Sequence, residues 1–451
     1  MTQPTIAFLP LARQTFDLEL ARQVTQTARE NLQEGGFRLL GPDDLITDLD
    51  TANRLAEDLS QADVDLLVIF QATFADSTMV TSLVESSSAP CFLWAIPEQP
   101  TGGRLRLNSL CGINLAGHAL TLRKKSYDYA YAPADDQNVL SKIKILAAAG
   151  SVKRRLKSAR LGVVGEHPDG MDSCHLDETR LHQWFGLDIV QLPLQEVFDR
   201  ARNISSEKIG QVRSQLDQKI NNLAELEQKP LSGSLSVYSA LKQIAQEERL
   251  DGLAVRCWPE FFTELGCAAC GAMSMLSDGF AGQTPLPCSC EADINGTVTQ
   301  LILQWLSESP AFGTDMVGMD LEQDYAIIWH CGLAPLSMAD SDYQPHGTIH
   351  SNRKLPLLME FPLKPGPVTI ARLNQSTGEL RWVIGRGEIL RSNTPPFSGT
   401  SGYLRFSRPA TQVLDALMQE GMEHHISLTY GDYYPALLAL ARLLKMPVYE
   451  L

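Results

Sequence analysis

The sequence predicts an α/β protein: two open, doubly wound parallel-sheet domains followed by a β-rich, antiparallel, barrel-like C-terminal domain. Three observations predict it. Short apolar runs alternate with amphipathic helical stretches over the first third of the chain, the pattern of βαβ units. The alternation pauses in a helix rich in Ala, Lys and Leu near residues 142–158, then restarts at Arg160. Beyond about residue 325, apolar runs are separated by Gly, Pro, Asn and Asp, the spacing of antiparallel strands.

In chain order, residues 5–9 read as a strand and 16–34 as an amphipathic helix. Residues 64–70 and 91–95 read as further strands. The second alternation places strands at 160–165, 189–192 and 253–256, with long polar helices between, for example over 205–227. Strands at 325–329, 355–361, 368–373 and 380–384 follow, and residues 434–444 close the chain as a helix. A chain of 451 residues is too long for one hydrophobic core. The boundaries expected are 1–155 for an N-terminal α/β domain, 156–325 for a central α/β domain and 326–451 for the β-rich domain.

Composition narrows the function classes. A hydrophobic content of 44% with 20% charged residues is that of an ordinary soluble globular protein. The formal charge of −15 argues against a nucleic-acid partner, and the basic run Lys153 to Lys157 is too short for a phosphate-binding patch. The longest apolar runs, such as Leu66 to Phe70, are strand-length, so no membrane span is expected. The first residues lack the basic region of an export signal, and a cytoplasmic location is the expectation. Five of the nine cysteines fall between Cys257 and Cys290. Cys267 and Cys270 are spaced as C-x-x-C within an apolar helical stretch expected over residues 265–276, but Cys288 and Cys290 as C-x-C, which does not make the paired knuckles of a structural zinc site. Buried small hydrophobes are the expected role.

Four clusters carry chemistry. Cys290-Glu291-Ala292-Asp293-Ile294-Asn295-Gly296 precedes a helical pattern, where Asp293 is placed to cap. Asp315 sits in Phe312-Gly313-Thr314-Asp315, ahead of an apolar strand. His330 ends the strand carrying Trp329, and Glu423-His424-His425 opens a short apolar strand. Each alone is compatible with a structural role. Together they offer carboxylates and imidazoles, the ligand set of Mn²⁺, Fe²⁺, Co²⁺ or Zn²⁺ and not of a calcium cage. An ion with open positions can hold two neighbouring sugar oxygens and polarise a carbonyl, while a carboxylate beside it removes the adjacent C–H proton.

At these residues the sequence resembles the L-fucose isomerase and L-arabinose isomerase superfamily. The Cys290-to-Gly296 segment is similar to the family's Cys-Glu-x-Asp-Ile-x-Gly motif, whose Glu is a metal ligand and falls on Glu291. The family's second acidic ligand falls by spacing on Asp315, and its last ligand, the second of a His-His pair, on His425, with His424 as the alternative. His330 matches a further histidine ligand of the arabinose branch. The resemblance implies Mn²⁺ or another divalent transition metal, and Glu291 and Asp315 moving protons between C1 and C2 through a cis-enediol. It also implies a homo-oligomer with active sites at subunit interfaces. No nicotinamide is needed, and no Gly-rich dinucleotide fingerprint occurs over residues 162–170.

Further substrate contacts are expected from Arg13 and Asp76, at strand ends of the N-terminal domain, and from Trp258 and Arg353. Asp76 is equally placed to cap a helix. Arg13, Arg104, Arg256 and Arg353 suggest an anionic sugar such as sulfoquinovose, because a guanidinium recognises anions in bidentate fashion. The alternatives are a non-catalytic sugar-binding or regulatory protein on the same fold, and a metal-dependent epimerase.

Overall fold

The structure is a computed structural model that describes residues 3–451. The chain divides into two compact units, one running to Arg155 and taking in Leu438–Leu444, the other comprising Leu156–Leu437 and Lys445–Leu451.

The first unit is built on a parallel five-stranded sheet. Its strands are β1 (Thr5–Leu11), β2 (Arg38–Leu40), β3 (Leu66–Gln71), β4 (Cys91–Ala95) and β5 (Tyr127–Tyr131), in the order β2-β1-β3-β4-β5. Every residue of β3 and β4 is buried, as in a sheet covered by helices on both faces. Asp17, Asp48 and Asp76 cap the helices that follow, each accepting from a backbone N–H of the first turn.

The second unit opens with a smaller parallel sheet in the order β7-β6-β8-β9, formed by β6 (Arg160–Val164), β7 (Asp188–Leu192), β8 (Gly252–Val255) and β9 (Cys288–Ser289). The chain then builds nine more strands: β10 (Phe312–Asp320), β11 (Tyr325–His330), β12 (His346–Thr348), β13 (Leu358–Pro362), β14 (Gly366–Asn374), β15 (Arg381–Leu390), β16 (Thr400–Phe406), β17 (His425–Tyr430) and β18 (Val448–Glu450). Their order is β12-β13-β16-β11-β10-β17-β14-β15-β18, and an extra β15–β16 pairing closes the strands between them into a barrel. Pairing is antiparallel except for β13–β16 and β15–β18. The α/β architecture with a barrel-like C-terminal sheet is therefore the one expected. A large apolar core runs through this unit, joining Val164, Leu253 and Val255 of the parallel sheet to Phe312, Ile328, Phe361 and Ile426 of the barrel.

Three local expectations need correction. The helix expected over 205–227 stops at Leu216. Ile220 and Leu223 turn into the core instead, and Asn222, in the left-handed region at φ +61°, exchanges hydrogen bonds with the backbone of Gly347. The C-x-x-C of Cys267 and Cys270 straddles the start of a helix, Cys270–Asp278, and does not lie within one. Asp315 is inside β10, not in a loop before a strand. Among the described residues no helix is long and apolar enough to cross a membrane.

Candidate active site

The first wall of the site is the turn between β9 and the helix Ile294–Ser307. Glu291 and Ala292 both adopt left-handed backbone conformations, at φ +57° and +54°. Two such non-glycine residues in succession cost about 1–3 kcal/mol each and persist where the surroundings dictate them. Here the Ala292 N–H donates to Val255 O at 3.1 Å and the Asp293 N–H to Cys290 O at 3.0 Å. The turn aims the Glu291 carboxylate at three side chains. Trp258 Nε1–H donates to Oε1 at 3.1 Å, His424 Nε2 lies 3.1 Å from Oε2, and the Cys174 thiol lies 3.8 Å from the same oxygen. Burial alone would raise the carboxyl pKa. The His424 and Trp258 hydrogen bonds, with the charge of His425, outweigh it and hold the pKa at about 2, so the carboxylate is ionised at neutral pH.

The second wall is the barrel. β10 lies between β11 and β17, and the register sets Asp315 directly across from His425 and, on its other side, from Trp329. A bulge follows between Met316 and Gly318. Asp315 Oδ1 approaches His425 Nε2 at 3.3 Å but off the direction a hydrogen bond needs, and this buried oxygen has no hydrogen-bond partner. His330 ends β11 with its ring centroid 5.8 Å from that of His425. The chain then turns at Gly332 (φ +80°), where a Cβ would fall 2.4 Å from Met359 N.

A buried charge network joins the walls. Asp293 caps the helix by accepting from Gly296 N–H at 3.0 Å. Its other oxygen takes both the Arg372 guanidinium and His425 Nδ1, the latter at 2.9 Å. Arg372 is 2% exposed, lies 3.7 Å from Glu423 and donates to Ser173 O at 3.2 Å. Burial pushes the Asp293 carboxyl up, but the charges of Arg372 and His425 dominate and hold it well below the usual carboxylate range.

The partners fix the imidazole tautomers. His425 offers Nδ1–H to the Asp293 carboxylate, which turns Nε2 toward Asp315. His330 is the reverse: Nδ1 accepts from the Cys331 N–H at 2.9 Å, so the neutral ring carries its proton on Nε2. His424 accepts at Nδ1 from Ser173 Oγ–H (3.0 Å) and offers Nε2–H to Glu291; that bond raises its pKa against the effect of burial.

Two groups of metal-competent atoms result, Cys174/Glu291/His424/His425 and Asp315/His330/His425, sharing His425. The structure thus brings together Glu291, Asp315, His425, His330, His424 and Trp258. Arg353 joins them at the rim, its guanidinium 5.0 Å from the Trp258 ring centroid. Arg13 and Asp76 stand in the first unit beyond the carboxyl ends of β1 and β3. There the Arg13 N–H donates to Thr73 Oγ1 at 2.8 Å and Asp76 caps the helix Ser77–Glu85. Among the described residues Cys267, Cys270, Cys288 and Cys290 form no metal group; all four are buried free thiols.

Sequence reasoning gave Asp293 only a capping role, named Glu423 without a role, and missed Arg372, Ser173 and Cys174. A signal existed for Arg372: an arginine inside the apolar run Val368 to Leu373 requires a buried partner. Ser173 and Cys174 lie in an irregular segment with no comparable signal.

The carboxylate–imidazole set fits a borderline divalent ion. The unpartnered Asp315 oxygen and the Asp293-oriented His425 are the features such an ion requires.

Comparison with known proteins places this arrangement among relatives. Residues 7–157 match the fucose/sulfoquinovose isomerase N-terminal domain, and residues 330–451 the L-fucose isomerase C-terminal domain. The chain is 32% identical over 450 residues to a sulfoquinovose isomerase of Alkalicoccus urumqiensis, covering 99% of each chain. It is 30% identical to one of Priestia aryabhattai, again over 99% of each. A sulfoquinovose isomerase of Clostridium sp. (strain MSTE9) is 28% identical over the whole of both chains.

Proposed function

The chain belongs to the fucose/sulfoquinovose isomerase family of aldose–ketose isomerases, and from that premise we propose that it interconverts a sulfonated aldose, sulfoquinovose, with its ketose. The observation that carries the chemistry is the convergence of two carboxylates, Glu291 and Asp315, on His425, whose other nitrogen Asp293 holds.

In this proposal Glu291, Asp315 and His425 Nε2 hold the metal, with Mn²⁺ our choice and Co²⁺, Fe²⁺ or Zn²⁺ the other candidates. When bound, the ion supplies Lewis-acid polarisation of the sugar carbonyl and a mount for two neighbouring oxygens. The proton work falls to the chain. One carboxylate removes the C2 proton of the open-chain aldose while O1 gains a proton, giving the cis-enediol. Loss of the O2 proton with delivery of a proton to C1 then gives the ketose. Glu291, kept ionised by Trp258 and His424, is suited to the abstraction step. His330 Nε2–H and His424 act as substrate contact and as positioning residue for Glu291, respectively. Trp258 and Arg353 are proposed as substrate contacts on the rim. Arg13 and Asp76 are proposed as contacts contributed in a cytoplasmic homo-oligomer whose active sites lie at subunit interfaces.

The test is ketose formation from sulfoquinovose followed by NMR in D₂O, beside neutral aldoses such as fucose and arabinose. We expect the sulfonated ketose and solvent deuterium incorporation. Turnover of fucose or arabinose far above that of sulfoquinovose would overturn the substrate assignment.

A further inference from the structure

The arginines of the second unit near the site differ in whether their charge is already used. Arg256 is locked to Glu260 at 3.0 and 2.9 Å, Arg180 pairs with Asp177, and Arg372 is buried between Asp293 and Glu423. Arg353 differs. Among the described residues no carboxylate pairs with it, and its guanidinium lies over two rings, 5.0 Å from the centroids of both Trp258 and Phe262. Stacking on aromatic faces orients a guanidinium without consuming its in-plane N–H donors. Arg353 is exposed, so those donors face solvent.

Its position is defined from both walls. Trp258, beneath Arg353 on one side, donates its indole N–H to Glu291. Phe262, beneath it on the other, packs with Trp329 against the small apolar cluster that includes Cys331, whose N–H holds His330. His350 sits edge-on to Phe262, with centroids 5.2 Å apart, and lies within reach of the charges of both Arg353 and His330. The guanidinium and the Glu291 carboxylate thus meet the same indole, one over its ring and the other at its N–H. This arrangement places a free cation beside the carboxylate that would handle the reacting carbons of a sugar.

We infer that Arg353, mounted on Trp258 and Phe262 with His350 beside it, is the subsite that receives the anionic tail of the sugar, a sulfonate on the carbon remote from the isomerised end. This rests on the sulfonated-aldose reading above and adds which residue reads the charge. A sulfonate presents three oxygens to the free edge of the guanidinium, the bidentate geometry that lysine cannot reproduce. Trp258 links this subsite to the carboxylate that handles the proton.

The test compares sulfoquinovose with the same aldose bearing hydrogen in place of the sulfonate, using the full-length metal-loaded protein. The wild type is expected to favour the sulfonated sugar in kcat/KM. Arg353→Gln should cut that preference on the order of 10- to 100-fold, mainly through KM, and Arg353→Lys should recover only part of it. Propane-1-sulfonate should compete in the wild type and lose potency in Arg353→Gln. Unchanged thermal melting would show that the exposed substitution leaves the fold intact. An Arg353→Gln variant that keeps the wild-type preference would overturn the subsite and leave the reaction assignment standing. A wild type without preference for the sulfonated sugar would overturn the substrate reading, and the subsite with it.

Discussion

Glu291 and Asp315 both group with His425 but are held in opposite ways. Glu291 rides on a turn of two left-handed residues, and its oxygens are met by Trp258, His424 and Cys174. Asp315 sits in regular strand geometry, fixed by the register of β10 between β11 and β17, and leaves one buried oxygen without a hydrogen bond. The first carboxylate is over-determined, and its partners hold its pKa low against the effect of burial. The second has its position set by the sheet and its electrostatics left open, and an unpartnered buried carboxylate oxygen is costly unless a cation answers it. In the proposed reaction both carboxylates hold the ion, and the contrast makes its retention depend more on Asp315 than on Glu291.

The largest expected effect comes from removing the over-determined charge. Glu291→Gln should lower kcat on the order of 10³-fold or more with the circular dichroism spectrum unchanged, because the amide keeps the shape but cannot act as a base. Near-wild-type turnover would remove Glu291 from the mechanism. Asp315→Asn should cost about 10²- to 10³-fold in kcat and also release metal, read by elemental analysis after dialysis. Chelation should mimic Asp315→Asn more closely than Glu291→Gln, and Mn²⁺ should reverse it. Asp293→Asn strikes the network behind both walls. Metal affinity should fall about 10- to 100-fold, and the stranded Arg372 charge should destabilise the fold by about 3–5 kcal/mol in denaturant unfolding. Trp258→Phe is the mildest: it keeps a ring for Arg353 but deletes the donor to Glu291, with an expected drop of about 10-fold in kcat. Equal effects of Trp258→Phe on metal content and on kcat would blur the division between the two walls.

Much of the fold was legible because it follows from local rules. Val64 to Phe70 could only be a buried strand, and β3 is indeed buried throughout. The helix over 205–227 misled because Ile220 and Leu223 carry helical spacing, yet they are claimed by the core while Asn222 pairs with Gly347. The site was legible as a set of residue types, since carboxylates and paired histidines at strand ends are chemically pointed. Asp293 shows the limit. Its capping role was readable from the helix start, but its hold on His425 and Arg372 joins residues far apart in the chain, and no local pattern encodes that distance.

By itself the sequence determined the elements, the α/β-then-barrel order and a short list of metal-competent side chains, because hydrophobic periodicity and turn chemistry act over a few residues. Only the tertiary structure decided which of those side chains meet, that Nε2 of His425 faces Asp315 while Asp293 holds Nδ1, and that Arg353, unlike Arg180, Arg256 and Arg372, pairs with no carboxylate among the described residues. Those outcomes depend on strand register and on which partner reaches each polar atom first, and both are set by the packing of the whole unit.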